Sequence, residues 1–566
     1  MSVRYPNMYN GMYRGNLSDK SVALILDAIS KTCIPGLKKM IFDFPADLVQ
    51  ESLESGVGIR DILERRGEGD YSKYIGELRD YQTVGAGFMY LSPRSILGDG
   101  VGSGKTVEIS ALLNIIKVNN ELTRFLAVVE KSAVKQFQLE LLRFTGLNVI
   151  ELPSQEVKMR KVITTTDWSK VDGVVTAHSA LRSDLLSRWL SLYLNEDDGS
   201  SQIFNTVILD ESSVVKNRET KTGIYIQNIC NIVSRVHFLN ATTFDTSIMD
   251  VYNQIDIMCP NLLHSKSRIE KEYCIFKRKE YWGRDNNNKA ALKFSRVLSG
   301  YKNQEQFKNS LKLVYFGRAK AELPHSYKVY TVYPTEEQML AIAKGYRYME
   351  VLNSPSNVPE IKIPFDMENV PKLSLLVSLI LNKYADKKVM VYVFNIEAQV
   401  VIRDTLAEYG IKSAILNGDT SSNEVECVKN AFNEGDVNVV ITNKQKSLNL
   451  YNGDVCIFYS MSFTPSKLEQ IRGRIDRSVD DKLKTFIMLL YKGTAEYKFF
   501  VDVVKSRSEH AKELTINARS AVDFFIESME RDGEIEGLEL GELYEASGGF
   551  TDNGDTGDDI EQLHLV

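Results

Sequence analysis

Ten consecutive residues, Leu97-Gly-Asp-Gly-Val-Gly-Ser-Gly-Lys-Thr106, constrain this chain more than any other feature. Gly100, Gly102 and Gly104 remove Cβ contacts, so successive backbone N–H groups can close around a phosphate, with Ser103 inside the same loop. Lys105 reaches the β- and γ-phosphates, and Thr106 offers its hydroxyl to Mg²⁺. An apolar run precedes the loop. Val107-Glu-Ile-Ser-Ala-Leu-Leu-Asn114 follows it and reads as a helix whose positive end faces the anion. The first loop position is Asp99, where glycine is usual.

A second feature turns phosphate binding into hydrolysis. Thr206-Val-Ile-Leu-Asp-Glu-Ser-Ser213 is an apolar run ending in two carboxylates. At the carboxyl end of a strand, Asp210 holds Mg²⁺, through water or with Thr106, and Glu211 polarises the attacking water. ATP and Mg²⁺ are the cofactors this pair implies. A third feature, Gln470-Ile-Arg-Gly-Arg-Ile-Asp-Arg477, carries two cations, Arg474 and Arg477, suited to neutralising a γ-phosphate from a second lobe.

The rhythm of the chain supports two such lobes. Phe125–Val129, Gly173–Thr176 and Thr206–Leu209 are short β-branched runs between helical patterns, as are Val389–Phe394, Val437–Ile441, Val455–Tyr459 and Thr485–Leu490. Alternation of this kind reads as βαβ units around parallel sheets. At roughly 100–200 residues per domain, 566 residues make about three or four units. The expected division is an N-terminal extension (1–75), a first α/β lobe (76–250), a basic helical insertion (251–330), a second α/β lobe (331–505), and a helical segment with a disordered acidic tail (506–566).

Charge is unevenly spread. Positions 261–320 hold fifteen Lys/Arg against five Asp/Glu, whereas 530–566 hold twelve acids and one base. A basic middle suits a polyanion partner. Lys277, Arg278 and Lys279 stand beside Tyr281 and Trp282, a mixture able to neutralise phosphates and stack on bases. The acidic tail is read as a solubilising end, as a site for a basic protein partner, or as a mimic of DNA in the motor's own groove. No run approaches the ~18 apolar residues of a membrane span. Met1–Asn7 show no apolar signal region, so the expectation is a cytoplasmic, non-membrane protein. The six cysteines form no C-x-x-C pair.

In order along the chain, these motifs resemble superfamily-two helicases and translocases, and within them the Swi/Snf-like ATPases. Gln470–Arg477 matches Q-x-x-G-R-x-x-R. Leu78-Arg-Asp-Tyr-Gln82 resembles the segment whose glutamine recognises adenine, which implies that role for Gln82. The family's nucleotide loop also opens on an acid, which accounts for Asp99. Val128–Phe137 resembles motif Ia and Val175–Arg182 motif Ib, implying nucleic-acid backbone contacts for Lys131, Ser132, His178 and Ser179. Ser447-Leu-Asn-Leu450 resembles the end of motif V, implying the same for Asn449. Three departures stand out: Ser213 replaces the family's histidine, Thr243 a proline, and Lys444–Lys446 a glycine-rich stretch. Size and divergence resemble a compact viral, phage or bacterial translocase.

The resemblance implies two RecA-like lobes and a DNA-dependent ATPase that translocates on duplex or branched DNA to remodel it or displace bound proteins. Two alternatives remain at this point: a strand-separating or branch-migrating helicase, and a nucleotide-gated scaffold with little turnover. Oligomeric state is not legible.

Overall fold

Both halves of the chain build an all-parallel sheet, because their strands are apolar at nearly every position and must be covered on both faces. A computed structural model describes residues 37–122, 124–194, 204–241, 247–284, 290–317, 325–344, 348–355, 363–444, 448–461, 465–476, 482–505, 508 and 521–536. Near the start, β1 (Ile41–Phe42) pairs antiparallel with β2 (Ile75–Gly76). Lobe one then contributes β3 (Arg94–Leu97), β4 (Phe125–Val129), β5 (Val149–Leu152), β6 (Gly173–Ala177), β7 (Thr206–Asp210) and β8 (Arg235–Leu239). After a separate antiparallel hairpin, β9 (Cys274–Arg284) and β10 (Ala290–Tyr301), comes β11 (Tyr315–Phe316), the edge strand of lobe one. The seven strands lie in the order β11-β3-β8-β7-β4-β6-β5.

Lobe two repeats the plan with β12 (Ser326–Val332), β13 (Val389–Tyr392), β14 (Ser413–Leu416), β15 (Val439–Thr442), β16 (Val455–Phe458), β17 (Thr485–Tyr491) and β18 (Ile535–Glu536). Their order is β14-β15-β13-β16-β17-β12-β18. These are two tandem RecA-like lobes. Strand alternation divides each core into two layers. Leu126 and Val128 pack into the cluster on one face of the first sheet, and Phe125, Ala127 and Val129 into the cluster on the other. Met390 and Tyr392 are likewise separated from Val389 and Val391 in the second.

The helices that bear on the site are α1 (Asp80–Leu91), α2 (Lys105–Val118), α3 (Ile248–Met258), α4 (Lys266–Tyr273), α5 (Gln304–Leu311), α6 (Pro465–Arg472) and α7 (Ala521–Asp532). Residues 37–76 close over lobe one, with Phe44, Leu48, Ile59 and Leu63 buried against Leu142 and Leu147. Buried Asn114 of α2 fastens that cover by donating 3.0 Å hydrogen bonds to the carbonyls of Met40 and Phe144.

The expectation of a helical insertion at 251–330 is corrected in part. Helices α3, α4 and α5 lie there, but Cys274–Tyr301 form the two-stranded hairpin. Ile275, Phe276, Tyr281, Trp282, Phe294, Val297 and Tyr301 are spread along its strands, residue types that favour extended backbone over helix. Strand pairing also runs past the expected boundary at 505. Helix α7 packs on the second sheet, where Tyr327 and Phe524 stack at 4.8 Å, and β18 adds its seventh strand beside β12. The acidic tail beyond 536 and Tyr5, Tyr9 and Tyr13 lie outside the described residues. Among the described residues, no helix is long and apolar enough to cross a membrane.

Candidate nucleotide site between the lobes

The site forms where the carboxyl ends of β3 and β7 open onto one edge of the first sheet, the usual place for a ligand in a parallel sheet. The glycine-rich loop leaves β3 and turns into α2 at Gly104, whose φ is 84°. That φ strains any L side chain, and a Cβ at Gly104 would also sit 2.7 Å from Nε2 of Gln82. Gln82 is itself held. Its Nε2 donates to the Ser103 carbonyl at 3.2 Å, and its Oε1 accepts from the Arg79 N–H at 3.1 Å. The Tyr81 hydroxyl donates to the same Ser103 carbonyl at 2.8 Å. The Lys105 ammonium donates to the carbonyls of Asp99 (2.9 Å) and Gly100 (3.1 Å), pinning the loop's far side.

The carboxylate pair ends β7. Glu211 takes a left-handed conformation, φ 50° and ψ 53°, which costs a non-glycine residue on the order of 1–3 kcal/mol. Neighbours hold that turn in place. His178 Nε2 donates to the Asp210 carbonyl at 2.8 Å, and the Ser212 hydroxyl donates to Oε1 of fully buried Gln254 at 2.6 Å.

Lobe two closes the site. Gln470 of α6 donates from Nε2 to Glu211 Oε2 at 3.2 Å. Where the lobes touch, a Cβ on Gly473 would lie 2.2 Å from Val101 Cγ1 in the glycine-rich loop. Arg474 is only 7% exposed; its Nε donates to the Gln470 carbonyl at 2.8 Å and its Nη1 to the Leu448 carbonyl at 3.2 Å. The result is a cavity of about 900 Å³ walled by both lobes.

Gln82, Gly102, Ser103, Gly104, Lys105, Thr106, Asp210, Glu211 and Arg474 all line that cavity. Asp99 does not: it is 1% exposed behind the loop, where its carbonyl holds Lys105. Gly100 likewise serves through its carbonyl. Arg477 lies outside the described residues, as do Thr243 and positions 445–447. Asn449, grouped by sequence with nucleic-acid contacts, is a wall residue of the nucleotide cavity. Lys131 and Ser132 are exposed just past β4, and His178 and Ser179 are half-buried past β6. Lys277, Arg278 and Lys279 lie on β9, and Lys277 and Arg278 do not line the cavity. Sequence reasoning missed Tyr81, Asn452 and Lys482. Tyr81 adjoins Gln82 and was within reach, whereas Asn452 and Lys482 meet the site only through the packing of one lobe on the other.

Residues 81–313 match the SNF2-related domain, and residues 371–479 match the helicase conserved C-terminal domain. The chain is 23% identical over 415 residues to the uncharacterized ATP-dependent helicase YqhH of Bacillus subtilis, covering 68% of this chain and 70% of that protein. It is 24% identical over 453 residues to the SWI/SNF-related matrix-associated actin-dependent regulator of chromatin subfamily A-like protein 1 of Xenopus laevis, covering 75% of this chain but 43% of that one. Other relatives that it matches are longer still, and it spans 16% or 18% of their length. The SWI2/SNF2 ATPase core of Sulfolobus solfataricus, solved with dsDNA, aligns over 84% of this chain and 97% of that one, at 16% identity and a TM-score of 0.36. The two matched domains contain the glycine-rich loop, the carboxylate pair and the Gln470–Arg474 helix end in family order, and the chain belongs to the Swi/Snf-like ATPases of helicase superfamily two.

Proposed function

We propose that this chain couples ATP hydrolysis to translocation on double-stranded DNA, remodelling it or displacing bound proteins. The observation that carries this reading is the shared cavity: loop, carboxylates and an arginine of the other lobe face one space. Thr106 and Asp210 are hard oxygen donors of the kind Mg²⁺ takes, and both line it. When bound there, Mg²⁺ neutralises charge on the β- and γ-phosphates.

The chain's own groups supply the rest. Lys105 leaves its carbonyl partners for the phosphates, an exchange of hydrogen bonds that triggers rearrangement of the loop. Glu211 orients and deprotonates the attacking water, and its contact with Gln470 makes that carboxylate sensitive to the position of lobe two. Arg474, with Arg477, stabilises the transition-state charge. Gln82 reads the adenine edge. Lys131, Ser132, His178 and Ser179 meet the DNA backbone. His178 also holds the Asp210 carbonyl, so one side chain reports on both ligands.

A triplex-displacement assay tests the reading. Wild type should eject a third strand from blunt duplex DNA only with ATP, and Glu211→Gln should eject none. Ejection by neither protein, under conditions where wild type hydrolyses ATP, would remove translocation from the account.

A further inference from the structure

The nucleotide site leaves one buried cluster of charge unexplained. Arg472 and Asp476 stand two positions before and two after Arg474, with side chains 13% and 5% exposed. The two carboxylate oxygens of Asp476 face separate partners. Oδ2 lies 3.7 Å from Arg472 Nη1, and Oδ1 lies 3.3 Å from His325 Nε2. The ring proton of His325 belongs on that nitrogen, because Nδ1 accepts the Lys484 N–H at 3.1 Å. The imidazole is buried and packs edge-on against Phe486, with centroids 5.5 Å apart.

Arg472 is the hub of the cluster. Its Nε donates to Glu469 Oε2 at 3.0 Å, and its Nη1 donates to the Tyr327 hydroxyl at 3.0 Å. The Tyr327 ring stacks on Phe486 and on Phe524 of α7. Glu469 Oε1 accepts the N–H of Ala521, the first residue of α7. Buried charges are costly unless each is partnered, so removing one member leaves another desolvated and unpaired. Backbone bonds act on the same segment: the Asp476 N–H donates to the Arg472 carbonyl at 3.1 Å, and the Arg474 carbonyl accepts the Leu450 N–H at 3.0 Å.

His325 also marks the entry into lobe two, directly before β12. On the other side of the crossing, Phe316 of β11 pairs with Leu97, and its carbonyl accepts the Gly98 N–H at 2.6 Å, at the root of the glycine-rich loop. His325 follows Phe316 by nine positions in sequence. The crossing between lobes is thus anchored at the nucleotide loop at one end and beside Arg474 at the other.

We propose that Asp476, clamped between Arg472 and His325, is a positioning residue for Arg474, and that His325 ties the setting of that arginine to the crossing between lobes. Arg474 lines the nucleotide cavity, whereas Arg472, Asp476 and His325 do not, so they act through it. The inference rests on the transition-state role given to Arg474 above.

Steady-state ATP hydrolysis, at a temperature where calorimetry shows each variant folded, tests it. Asp476→Asn keeps the shape and removes the charge. His325→Phe keeps a ring against Phe486 and removes the N–H. Each should lower kcat by about tenfold or more, the scale of a misplaced catalytic group, with KM for ATP within about twofold of wild type. His325→Gln, which restores an N–H donor, should recover most of that loss. In an Arg474→Ala background, Asp476→Asn should cost no more than about a further twofold, because residues acting as a unit are not additive. A merely structural cluster would lower the melting temperature and leave kcat of the folded enzyme unchanged, which would overturn the proposal. Losses that multiply in the double variant would overturn it too. Wild-type turnover by Arg474→Ala would remove the role of that arginine and this inference with it. A severely impaired Arg474→Ala beside a fully active Asp476→Asn would remove the clamp alone.

Discussion

Glu211 shows how this chain spends stability on geometry. A left-handed glutamate is unfavourable, and it persists because Ser212, His178 and Gln470 each fix one side of the turn. A second residue carries a measurable cost of another kind. His237, fully buried on β8 and 2.9 Å from the Ser95 hydroxyl, has its pKa lowered to about 3 by burial, helped by Arg235 and Arg94. The unfolded chain takes up this proton below about pH 6.5, and the folded one does not until about pH 3. Stability from this group is therefore complete above pH 6.5 and lost as pH falls, at up to about 1.4 kcal/mol per pH unit. Urea midpoints of wild type and His237→Gln between pH 7 and 4 check it: the variant should show the shallower decline. Residues of the nucleotide loop were legible because their chemistry is contiguous in sequence. That Asn449 lines the nucleotide cavity was not legible, because the wall is built by packing residues distant in sequence.

At the scale of elements, the parallel strands were legible from their apolar runs, and the hairpin was not. Interleaved cations mask a period of two, and the segment's charge resembles that of an exposed helix. The helical segment expected after 505 is present as α7, but its docking was not legible: despite the acids in Ala521–Glu536, Val522 and Phe525 are fully buried. Ser528 donates to the Tyr327 carbonyl at 2.6 Å, and β18 pairs with β12. A chain ending at 536 should melt like the full protein. One ending at 520 loses two or more buried apolar side chains, about 3 kcal/mol or more, and lobe two should melt about 6–12 °C lower by calorimetry. Equal melting of the two truncations would show that α7 contributes nothing to lobe two. The chain ending at 536 also tests the tail as a DNA mimic: unchanged basal hydrolysis would remove that idea.

For the whole molecule, the function resides in the relation between lobes. Glu211 and Gln470 are 259 positions apart in sequence and 3.2 Å apart in space. In the proposed cycle, closing the cleft brings Arg474 toward the loop, and opening it withdraws both arginine and glutamine from the carboxylate. On that proposal, cleft motion is the step that links hydrolysis to movement along DNA. The most direct test is steady-state ATP hydrolysis by wild type and Glu211→Gln, with and without duplex DNA. Wild type should be stimulated about tenfold or more by duplex. Glu211→Gln should fall by roughly 100-fold or more under both conditions while still binding nucleotide, the scale expected for loss of a general base. Equal hydrolysis by the two proteins, or none by wild type with any DNA, would contradict the account and leave a nucleotide-gated scaffold in its place.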